Sequence, residues 1–394
     1  MLFTLDMVAT NTRPVQGGTS GGRRGNRGYL VAAGILIAVA ITAVLVGAHT
    51  DPSKVAGPVD TSHLKVGPTA PAVDSNAWIN SAPLTQADLR GKVVLYDFWT
   101  YSCVNCQRTF PDIRAWFDRY RADGLVVIGI HSPEFDFEKV RKNVEAAVKR
   151  DAVTWPVALD SDMAIWTRFK NQYWPADYIA DRSGHIRYTH FGEGDYANTE
   201  NVIRKLLGVR AGSPRAGAVT HAVVASGVSN PETYLGLQYQ TAQPLIVVQP
   251  GSRTYVAPAP GAIAPPRVNS DGVITLVPGK TEGALVGKWS AGPEAVTSDA
   301  AAATIVIGVH AEQVNLVMAT TTGKPIDAVV QLDGQPLPAA ERGSSVHVDS
   351  NGRTVVTVTA PDMYELFKSS TAADHVLTLA ATAPGLVAYD FTFG

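Results

Sequence analysis

The spacing of apolar positions changes in the middle of residues 92–111, which read KVVLYDFWTYSCVNCQRTFP. An apolar run of strand-forming residues stops at the polar segment Thr100–Ser102, and Cys103 and Cys106 follow. The next apolar residues recur with helical spacing, at Ile113, Trp116, Phe117 and Tyr120. This change of period predicts a buried strand, a turn, and a helix that carries two cysteines at its start.

The pattern continues downstream as an alternation of apolar runs and amphipathic segments. Predicted strands are residues 125–130, 155–159, 178–179 and 186–191, and predicted helices have one apolar face over 137–148, 163–169 and 201–207. The last two strands flank Ser183-Gly184 and predict a hairpin. Alternating strands and helices predict an α/β domain with a parallel core over residues 69–209.

Beyond residue 230 the helical spacing disappears and short strand-like runs take its place. They cover residues 273–277, 304–309, 314–319, 326–332, 346–348, 354–359 and 376–381. Ser350-Asn351-Gly352 lies between two of these runs and predicts a hairpin. We expect residues 231–394 to form an all-β jelly-roll sandwich, joined to the α/β domain by an Ala-, Gly-, Ser- and Pro-containing linker at residues 210–230.

The N-terminal pattern predicts a membrane anchor. Residues 29–48 are uncharged and apolar, which is long enough for a helix to cross a bilayer of about 30 Å. Arginines in residues 1–28 predict a cytoplasmic tail, so the stalk at residues 49–68 and everything after it would be extracytoplasmic. A cleaved signal peptide is the alternative, because Val46-Gly47-Ala48 resembles a cleavage site, but the apolar run exceeds the usual length of about 7 to 15 residues.

The amino-acid composition limits the partners and the kinds of site that the chain can have. The chain has 394 residues, of which 45% are hydrophobic and 17% charged, and its net charge of −2 gives no reason to expect nucleic acid as a partner. It contains only two cysteines, and no histidine pair follows them at zinc-finger spacing, so a zinc site would lack two of its four ligands and we expect no metal. Thiols outside the cytoplasm face an oxidising compartment, which favours a redox role for the one pair present.

The Cys-x-x-C spacing suits thiol-disulfide exchange. Cys103 would lie at the open, positive end of the helix, which favours its thiolate, the form that attacks a disulfide. Cys106, about one turn inside, would resolve the mixed disulfide. A structural disulfide is the alternative, although so short a loop would stabilise the fold little.

The segment LRGKVVLYDFWTYSCVNCQRTFP resembles the active-site region of extracytoplasmic thioredoxin-like proteins of the TlpA and ResA type, and is closer still to the thioredoxin-like part of mycobacterial DipZ proteins. The resemblance implies a thiol-disulfide oxidoreductase that needs no cofactor besides its Cys103/Cys106 disulfide. It also implies protein substrates with disulfides or dithiols, and a membrane electron donor or acceptor of the DipZ/CcdA kind.

The resemblance assigns further residues to the site. In the family a cis-proline packs against the cysteine pair, and the backbone beside it pairs with the substrate, which gives Trp174 and Pro175 a substrate-positioning role. Asp97 lies in an apolar strand, where burial would raise its pKa and suit it to take the proton of Cys106. Thioredoxin has an aspartate at the matching place; the alternative is a polar group bonded to local backbone.

Three departures from the family matter. Thr109 stands where ResA-like proteins often carry a glutamate, Ser102 replaces a common tryptophan, and the dipeptide between the cysteines is Val104-Asn105. The direction of electron flow therefore cannot be copied from a relative. Thr100 is placed as in peroxiredoxins, but Tyr96 stands where their proline should be, which disfavours a peroxidase.

Residues 231–394 also resemble the C-terminal domain of DipZ proteins, which looks like a carbohydrate-binding module. The aromatic residues available to stack on sugars are Tyr234, Tyr239, Tyr255, Trp289 and Tyr364, although large aromatics are more often core residues. The alternative function is therefore a non-enzymatic protein that binds envelope glycan and has a structural disulfide.

Two pairs of polar residues in the α/β domain do not require a metal or catalytic site to explain them. His185 and His190 are five residues apart in a predicted hairpin, so they would face opposite ways and share no metal. Glu193 and Asp195 lie in a glycine-containing turn, where a role at the rim of the active site competes with turn chemistry.

Overall fold

The N-terminal domain is built on a six-stranded mixed sheet in a computed structural model of the chain. The structure describes residues 64–210, 212–217, 230–240, 246, 248–255 and 283–394. The strands are β1 (Trp78–Ile79), β2 (Val93–Trp99), β3 (Leu125–His131), β4 (Val157–Leu159), β5 (Ala176–Ala180) and β6 (Ile186–Phe191). Their order across the sheet is β1-β4-β3-β2-β5-β6.

The predicted parallel core is confirmed, since β2, β3 and β4 run parallel to one another, whereas β1, β5 and β6 add antiparallel edges. Every residue of β2 is buried. One face, with Leu95 and Trp99, packs in the core beneath the cysteine-bearing helix, and the other, with Tyr96 and Phe98, packs in a second core. A strand buried on both faces explains its nearly unbroken apolar sequence.

Five α-helices accompany this sheet in the described part of the chain: α1 (Gln86–Leu89), α2 (Val104–Tyr120), α3 (Arg141–Arg150), α4 (Ala164–Phe169) and α5 (Tyr196–Leu207). Helix α2 continues through Pro111, and its buried face carries Phe110, Ile113, Trp116 and Tyr120. The helix predicted from the amphipathic spacing of these residues is therefore confirmed.

Some predicted boundaries were short or long by a few residues. The strand predicted at 155–159 begins at Val157, because Trp155 and Pro156 precede the ladder. The closing helix predicted at 201–207 begins at Tyr196, one turn earlier. The hairpin is confirmed, with β5 and β6 antiparallel and an irregularity between Ile179 and Ala180.

The C-terminal domain is β-rich, as predicted. Its strands are β7 (Thr233–Tyr234), β8 (Gly251–Tyr255), β9 (Gly283–Ala291), β10 (Val296–Ser298), β11 (Thr304–Thr320), β12 (Ile326–Leu332), β13 (Gln335–Pro336), β14 (Val346–Val348), β15 (Thr354–Val358), β16 (Asp362–Ala381) and β17 (Leu386–Phe393). They form one hydrogen-bonded sheet in which every pairing is antiparallel, around a large apolar core. The jelly-roll description stays a prediction.

The strands predicted at 304–309 and 314–319 were wrong as separate elements. Both belong to β11, which bends through register shifts between Ala311 and Gln313 and between Val314 and Asn315 instead of ending in a turn. The predicted strand at 376–381 is likewise the end of β16. The hairpin at 350–352 is confirmed, since β14 and β15 pair across it and Gly352 has a φ of +78°.

The described residues belong to one compact unit, in which the two domains contact each other. None of the helices in that part of the chain is long and apolar enough to cross a membrane. The anchor predicted at residues 29–48, the tail at 1–28, most of the stalk at 49–68 and of the linker at 210–230, and the strand predicted at 273–277 lie outside the described residues.

Candidate active site

The two cysteines lie at the beginning of α2. Cys103 is the N-cap residue, with an extended backbone, and its sulfur accepts a hydrogen bond from the backbone N–H of Cys106 at 3.3 Å. Cys103 is half-buried and Cys106 is completely buried, and both are free cysteines in this structure. Cys103 therefore lies at the end of the helix and Cys106 about one turn inside, as the spacing predicted, while their roles in disulfide exchange stay a prediction.

The environment of Cys106 favours its protonated form. Burial raises the pKa of Cys106 well above that of a free thiol, and the hydrogen bond and negative charge of the neighbouring Cys103 raise it further. The charge of Asp97 acts in the same direction. Cys106 therefore needs a proton acceptor before it can act as a nucleophile.

Asp97 is the buried acid of the site. It is 0% exposed, and neither of its carboxyl oxygens has a hydrogen-bond partner among the described residues. This excludes the alternative of a carboxylate bonded to local backbone. Burial raises the pKa of Asp97 well above its usual range, and the charge of Asp177 raises it further. A carboxyl group with such a pKa can exchange a proton with a thiol.

The Trp174–Pro175 peptide bond is cis, as the resemblance implied. The carbonyl oxygen of Pro175 accepts a hydrogen bond from Gly192 N–H at 2.8 Å, which ties it to the end of the β5–β6 hairpin. The indole N–H of Trp174 donates to the carbonyl oxygen of Ser132 at 3.0 Å, and its ring contacts that of Trp166 with centroids 4.1 Å apart. Trp174 is thereby held in place; a role in substrate positioning stays a prediction.

A second buried carboxyl group, Glu138, supports the loop that precedes the first cysteine. Its Oε1 accepts from the hydroxyl of Ser102 at 2.6 Å and from Ser102 N–H at 3.3 Å, while its Oε2 accepts from the N–H groups of Glu134 and Phe135. Burial raises the pKa of Glu138 despite these bonds. Sequence reasoning missed Glu138, because 36 residues separate it from Ser102.

The C-terminal domain reaches the rim of the site. The hydroxyl of Tyr101 donates to the carbonyl oxygen of Pro361 at 3.2 Å. The guanidinium of Arg108, in α2, donates to Gln313 Oε1 at 2.6 Å and pairs with Glu193 at 3.2 Å. Glu193 is thus paired with the cysteine-bearing helix, and its role at the rim of the active site stays a prediction. The C-terminal domain thus contacts the chain on both sides of the cysteine pair, at Tyr101 and at Arg108.

An aromatic cluster, defined here as Phe135, Phe137, Tyr234, Tyr239 and Tyr389, joins the domains beside this rim. The centroid distances from Tyr389 are 5.1 Å to Phe135 and 4.8 Å to Phe137. Phe135 is buried and also contacts Tyr234 and Tyr239. These two tyrosines, considered above for sugar stacking, pack against the N-terminal domain.

The other aromatics considered for sugar binding lie in the C-terminal core. Tyr255, Trp289 and Tyr364 are 3%, 1% and 9% exposed. The hydroxyl of Tyr364 also accepts from the N–H groups of Thr359 and Ala360, which fixes a loop. The core interpretation therefore holds for these three residues.

The hairpin histidines differ from each other. His185 lies outside β6, and its Nδ1 is 3.1 Å from the hydroxyl of Ser183. His190 lies within β6, directly opposite Asp177 of β5, and its Nε2 is buried without a partner in the described part of the chain. The sequence predicted only that the two histidines share no metal, and it did not indicate Asp177, because the register between strands is not visible in a single sequence.

Two family models match separate parts of the chain. Residues 66–189 match the AhpC/TSA family, and residues 275–394 match the thioredoxin-like C-terminal domain family. The first matched region lies in the α/β part of the structure and the second in the β-rich part.

Several curated proteins are similar to the chain. It is 36% identical over 284 residues to Protein DipZ of Mycobacterium tuberculosis, an alignment that covers 68% of this chain and 38% of DipZ. It is 28% identical over 131 residues to the thiol-disulfide oxidoreductase YkuV of Bacillus subtilis, covering 33% of this chain and 88% of YkuV. The chain therefore spans little more than a third of the length of DipZ.

Solved structures are similar to about a third of the chain. One is a thiol-disulfide isomerase from Corynebacterium glutamicum, 27% identical, with a TM-score of 0.31, covering 35% of this chain and 96% of the other. ResA of Bacillus thuringiensis is 24% identical over 119 residues, covering 30% of this chain and 66% of ResA. The N-terminal domain is thus a thioredoxin-like domain of the AhpC/TSA family, homologous to DipZ and to the thiol-disulfide oxidoreductases YkuV and ResA.

Proposed function

We propose that this chain is a membrane-anchored, extracytoplasmic thiol-disulfide oxidoreductase that exchanges disulfides with envelope or secreted proteins through its Cys-Val-Asn-Cys motif. The observation that carries the proposal is the placement of Cys103 as the half-buried N-cap of α2, with Cys106 buried one turn inside. Cis-Pro175 and the unpartnered carboxyl group of Asp97 complete the set of groups that such an exchange requires.

In the reducing direction, the thiolate of Cys103 attacks one sulfur of a substrate disulfide. The substrate S–S bond breaks, a bond forms between Cys103 and the attacked sulfur, and the other substrate sulfur leaves as a thiolate. The backbone N–H of Cys106 stabilises the attacking thiolate because it already points at the Cys103 sulfur.

In the second step Cys106 resolves the mixed disulfide. Its thiol gives its proton to the carboxylate of Asp97, and the resulting thiolate attacks the sulfur of Cys103. The bond between Cys103 and the substrate breaks, the substrate leaves as a second thiolate, and the Cys103–Cys106 disulfide forms. Two electrons have then passed from the protein to the substrate.

The location and partners are proposed on the N-terminal pattern and on the similarity to DipZ. The uncharged run at residues 29–48 favours a single anchor that holds both domains outside the cytoplasm. That anchor has no cysteine and cannot relay thiol electrons, so a membrane donor or acceptor of the DipZ/CcdA kind would exchange electrons with the Cys103/Cys106 pair. The C-terminal domain would be a jelly-roll module that places the enzyme near its substrates, with envelope glycan as a candidate ligand.

The reduction potential of the Cys103/Cys106 pair tests the proposal. We expect a reversible couple between about −270 mV, typical of a reductase, and about −120 mV, typical of a disulfide donor. A pair that resists reduction below about −300 mV would be a structural disulfide and would favour the glycan-binding alternative.

Trapping of substrates provides an independent test. In cells that express Cys106→Ser, we expect proteins to accumulate in mixed disulfides with Cys103, because the resolving thiol is absent. The matched control is the double variant Cys103→Ser and Cys106→Ser, which should trap nothing. Absence of adducts from a folded Cys106→Ser variant would count against the proposal.

A further inference from the structure

Three titratable side chains lie in one row across three adjacent strands of the N-terminal sheet. Asp97 of β2 is directly opposite Asp177 of β5, and Asp177 is directly opposite His190 of β6. Residues directly opposite each other in antiparallel strands share a face and have Cβ atoms about 4.5–5.5 Å apart. The row therefore runs on the face covered by α2, from beneath Cys106 to the edge strand β6.

Each member of the row has a buried polar atom with no hydrogen-bond partner in the described ranges. These atoms are both carboxyl oxygens of Asp97, Oδ1 of Asp177 and Nε2 of His190. Unpartnered buried polar atoms destabilise a fold, so each one calls for an explanation, such as a catalytic role or a bound water. Three residues with such atoms stand in register on a face that elsewhere packs apolar residues such as Leu95 and Ile179, an arrangement that core packing does not explain.

The side chains of the row are more exposed toward the edge of the sheet than at Asp97, as a path that carries protons to solvent requires. Asp97 is fully enclosed, whereas Asp177 and His190 are both partly exposed, and β6 is the outermost strand. Histidine is the side chain best suited to exchange protons with water near neutral pH. Asp97 has no solvent contact of its own, so a proton that it accepts needs another group through which to leave.

We propose that Asp177 and His190 are proton-transfer residues that carry the proton of Cys106 from Asp97 to solvent. This inference rests on the proposed function. When Cys106 attacks the mixed disulfide, its proton moves to Asp97, then from Asp97 to Asp177 and from Asp177 to His190, which releases it to water. Each carboxylate is regenerated as it passes the proton on, and no electrons move along the row.

The charged and titratable groups that face this row belong to two helices and one loop. Helix α2 contributes Cys106, whose pKa responds to Asp97. Helix α5 contributes Tyr196, whose pKa is raised mainly by burial and also by Glu193 of the preceding loop, by Asp112 of α2 and by Asp177. Burial raises the pKa of Asp177 to about 7, which suits it to hold and release a proton near neutral pH.

The test is the rate of the resolving step in the full-length protein. Reduced protein is mixed with an excess of disulfide-bonded insulin at pH values from about 5 to 9, and samples are quenched with acid. Each sample is assayed for the mixed disulfide at Cys103 and for the Cys103–Cys106 disulfide. We expect Asp177→Asn and His190→Gln to leave formation of the mixed disulfide unchanged and to slow its resolution at least about tenfold.

The matched control is His185→Gln, which changes the same residue type in the same hairpin outside the row, and it should resolve at the wild-type rate. Added imidazole should restore the resolving rate of His190→Ala in proportion to its concentration, which a merely structural role would not produce. Wild-type rates in both row variants across the pH range, or a slow His190→Ala that imidazole does not accelerate, would overturn the inference.

These outcomes separate the inference from the proposed function. If wild-type protein formed no mixed disulfide at Cys103, the proposed function would fail and the inference with it. If wild-type protein reduced insulin and the row variants resolved normally, the proton path alone would be wrong.

Discussion

The guanidinium of Arg108, on the helix that carries both cysteines, donates a 2.6 Å hydrogen bond to Gln313 of the C-terminal sheet. The amide of Gln313 in turn donates to Glu365 at 2.8 Å, and Arg108 also pairs with Glu193 at the rim of the site. The cysteine-bearing helix is thus linked through side chains to the interior strands β11 and β16 of the other domain.

We expect Gln313→Leu to lower the free energy of unfolding by about 2 kcal/mol, because its half-buried hydrogen bonds with Arg108 and Glu365 are both lost. Arg108→Met should cost about 2 kcal/mol, since both Gln313 and Glu193 lose their partner. Urea unfolding of the two variants and their double mutant measures the coupling. The control is Arg119→Ala, which removes an exposed ion pair and should change stability by less than about 0.5 kcal/mol. Strict additivity would show that the contact contributes nothing.

The aromatic cluster offers a stronger test of the coupling between domains. Phe135 is 1% exposed and contacts rings from both domains. Phe135→Ala should lower the free energy of unfolding by about 3–5 kcal/mol through lost burial and the cavity left behind. Calorimetry should show the two domains unfolding in separate transitions. Phe135→Leu, which keeps most of the volume, should cost less than about 1.5 kcal/mol. One unchanged cooperative transition in Phe135→Ala would contradict this role.

Glu138 is expected to hold the loop before the active site. Glu138→Ala leaves four donors without an acceptor, namely the N–H groups of Ser102, Glu134 and Phe135 and the hydroxyl of Ser102. We expect a loss of at least about 2 kcal/mol in urea unfolding. Glu145→Ala is the control, because it removes an exposed carboxylate that forms a surface ion pair with Arg141 and should have an effect within about 0.5 kcal/mol. Equal effects of the two variants would argue against a supporting role for Glu138.

The sequence predicted those secondary-structure elements that depend on the spacing of neighbouring residues. The strand, the Cys-x-x-C turn and helix α2 follow from a change of apolar period, and the resemblance supplied the cis bond before Pro175. One feature of the fold could not be predicted in this way. The runs at 304–309 and 314–319 were predicted as separate strands, but the segment around Gln313 is a bulge within β11, and the strand stays paired with β16 on both sides of it. Tertiary pairing overrode the local signal there.

The candidate site was predicted incompletely for a related reason. Cys103, Cys106 and Asp97 lie within ten residues of one another, so spacing and burial indicated them. Asp177 and His190 join Asp97 only through the registers of β2 with β5 and of β5 with β6, and an irregularity after Ile179 offsets the hairpin. A one-residue slip would move every side chain of a strand to the other face, so apolar spacing alone could not place these two residues.

The raised pKa of Asp177 predicts how stability depends on pH. Its pKa rises from 3.8 to about 7 on folding, so the folded protein keeps a proton that the unfolded chain releases. Below pH 3.8 the carboxyl group of Asp177 is protonated in both states and does not lower the free energy of unfolding. Between pH 3.8 and about 7 it lowers the free energy of unfolding increasingly, and above about pH 7 the reduction is constant. Asp177→Asn removes this reduction.

At pH 8 we expect Asp177→Asn to be more stable than wild type by on the order of 2 kcal/mol, since each tenfold change in proton affinity is worth about 1.4 kcal/mol and the buried amide keeps some cost of its own. At about pH 4 the two proteins should unfold at nearly the same urea concentration. Asp181→Asn is the control of opposite sign: its pKa is lowered to about 2, mainly by hydrogen bonds that outweigh the effect of burial, so this variant should be less stable at pH 8. An Asp177→Asn variant whose stability differed from wild type by the same amount at both pH values would show that the carboxyl group of Asp177 ionises normally in the folded protein.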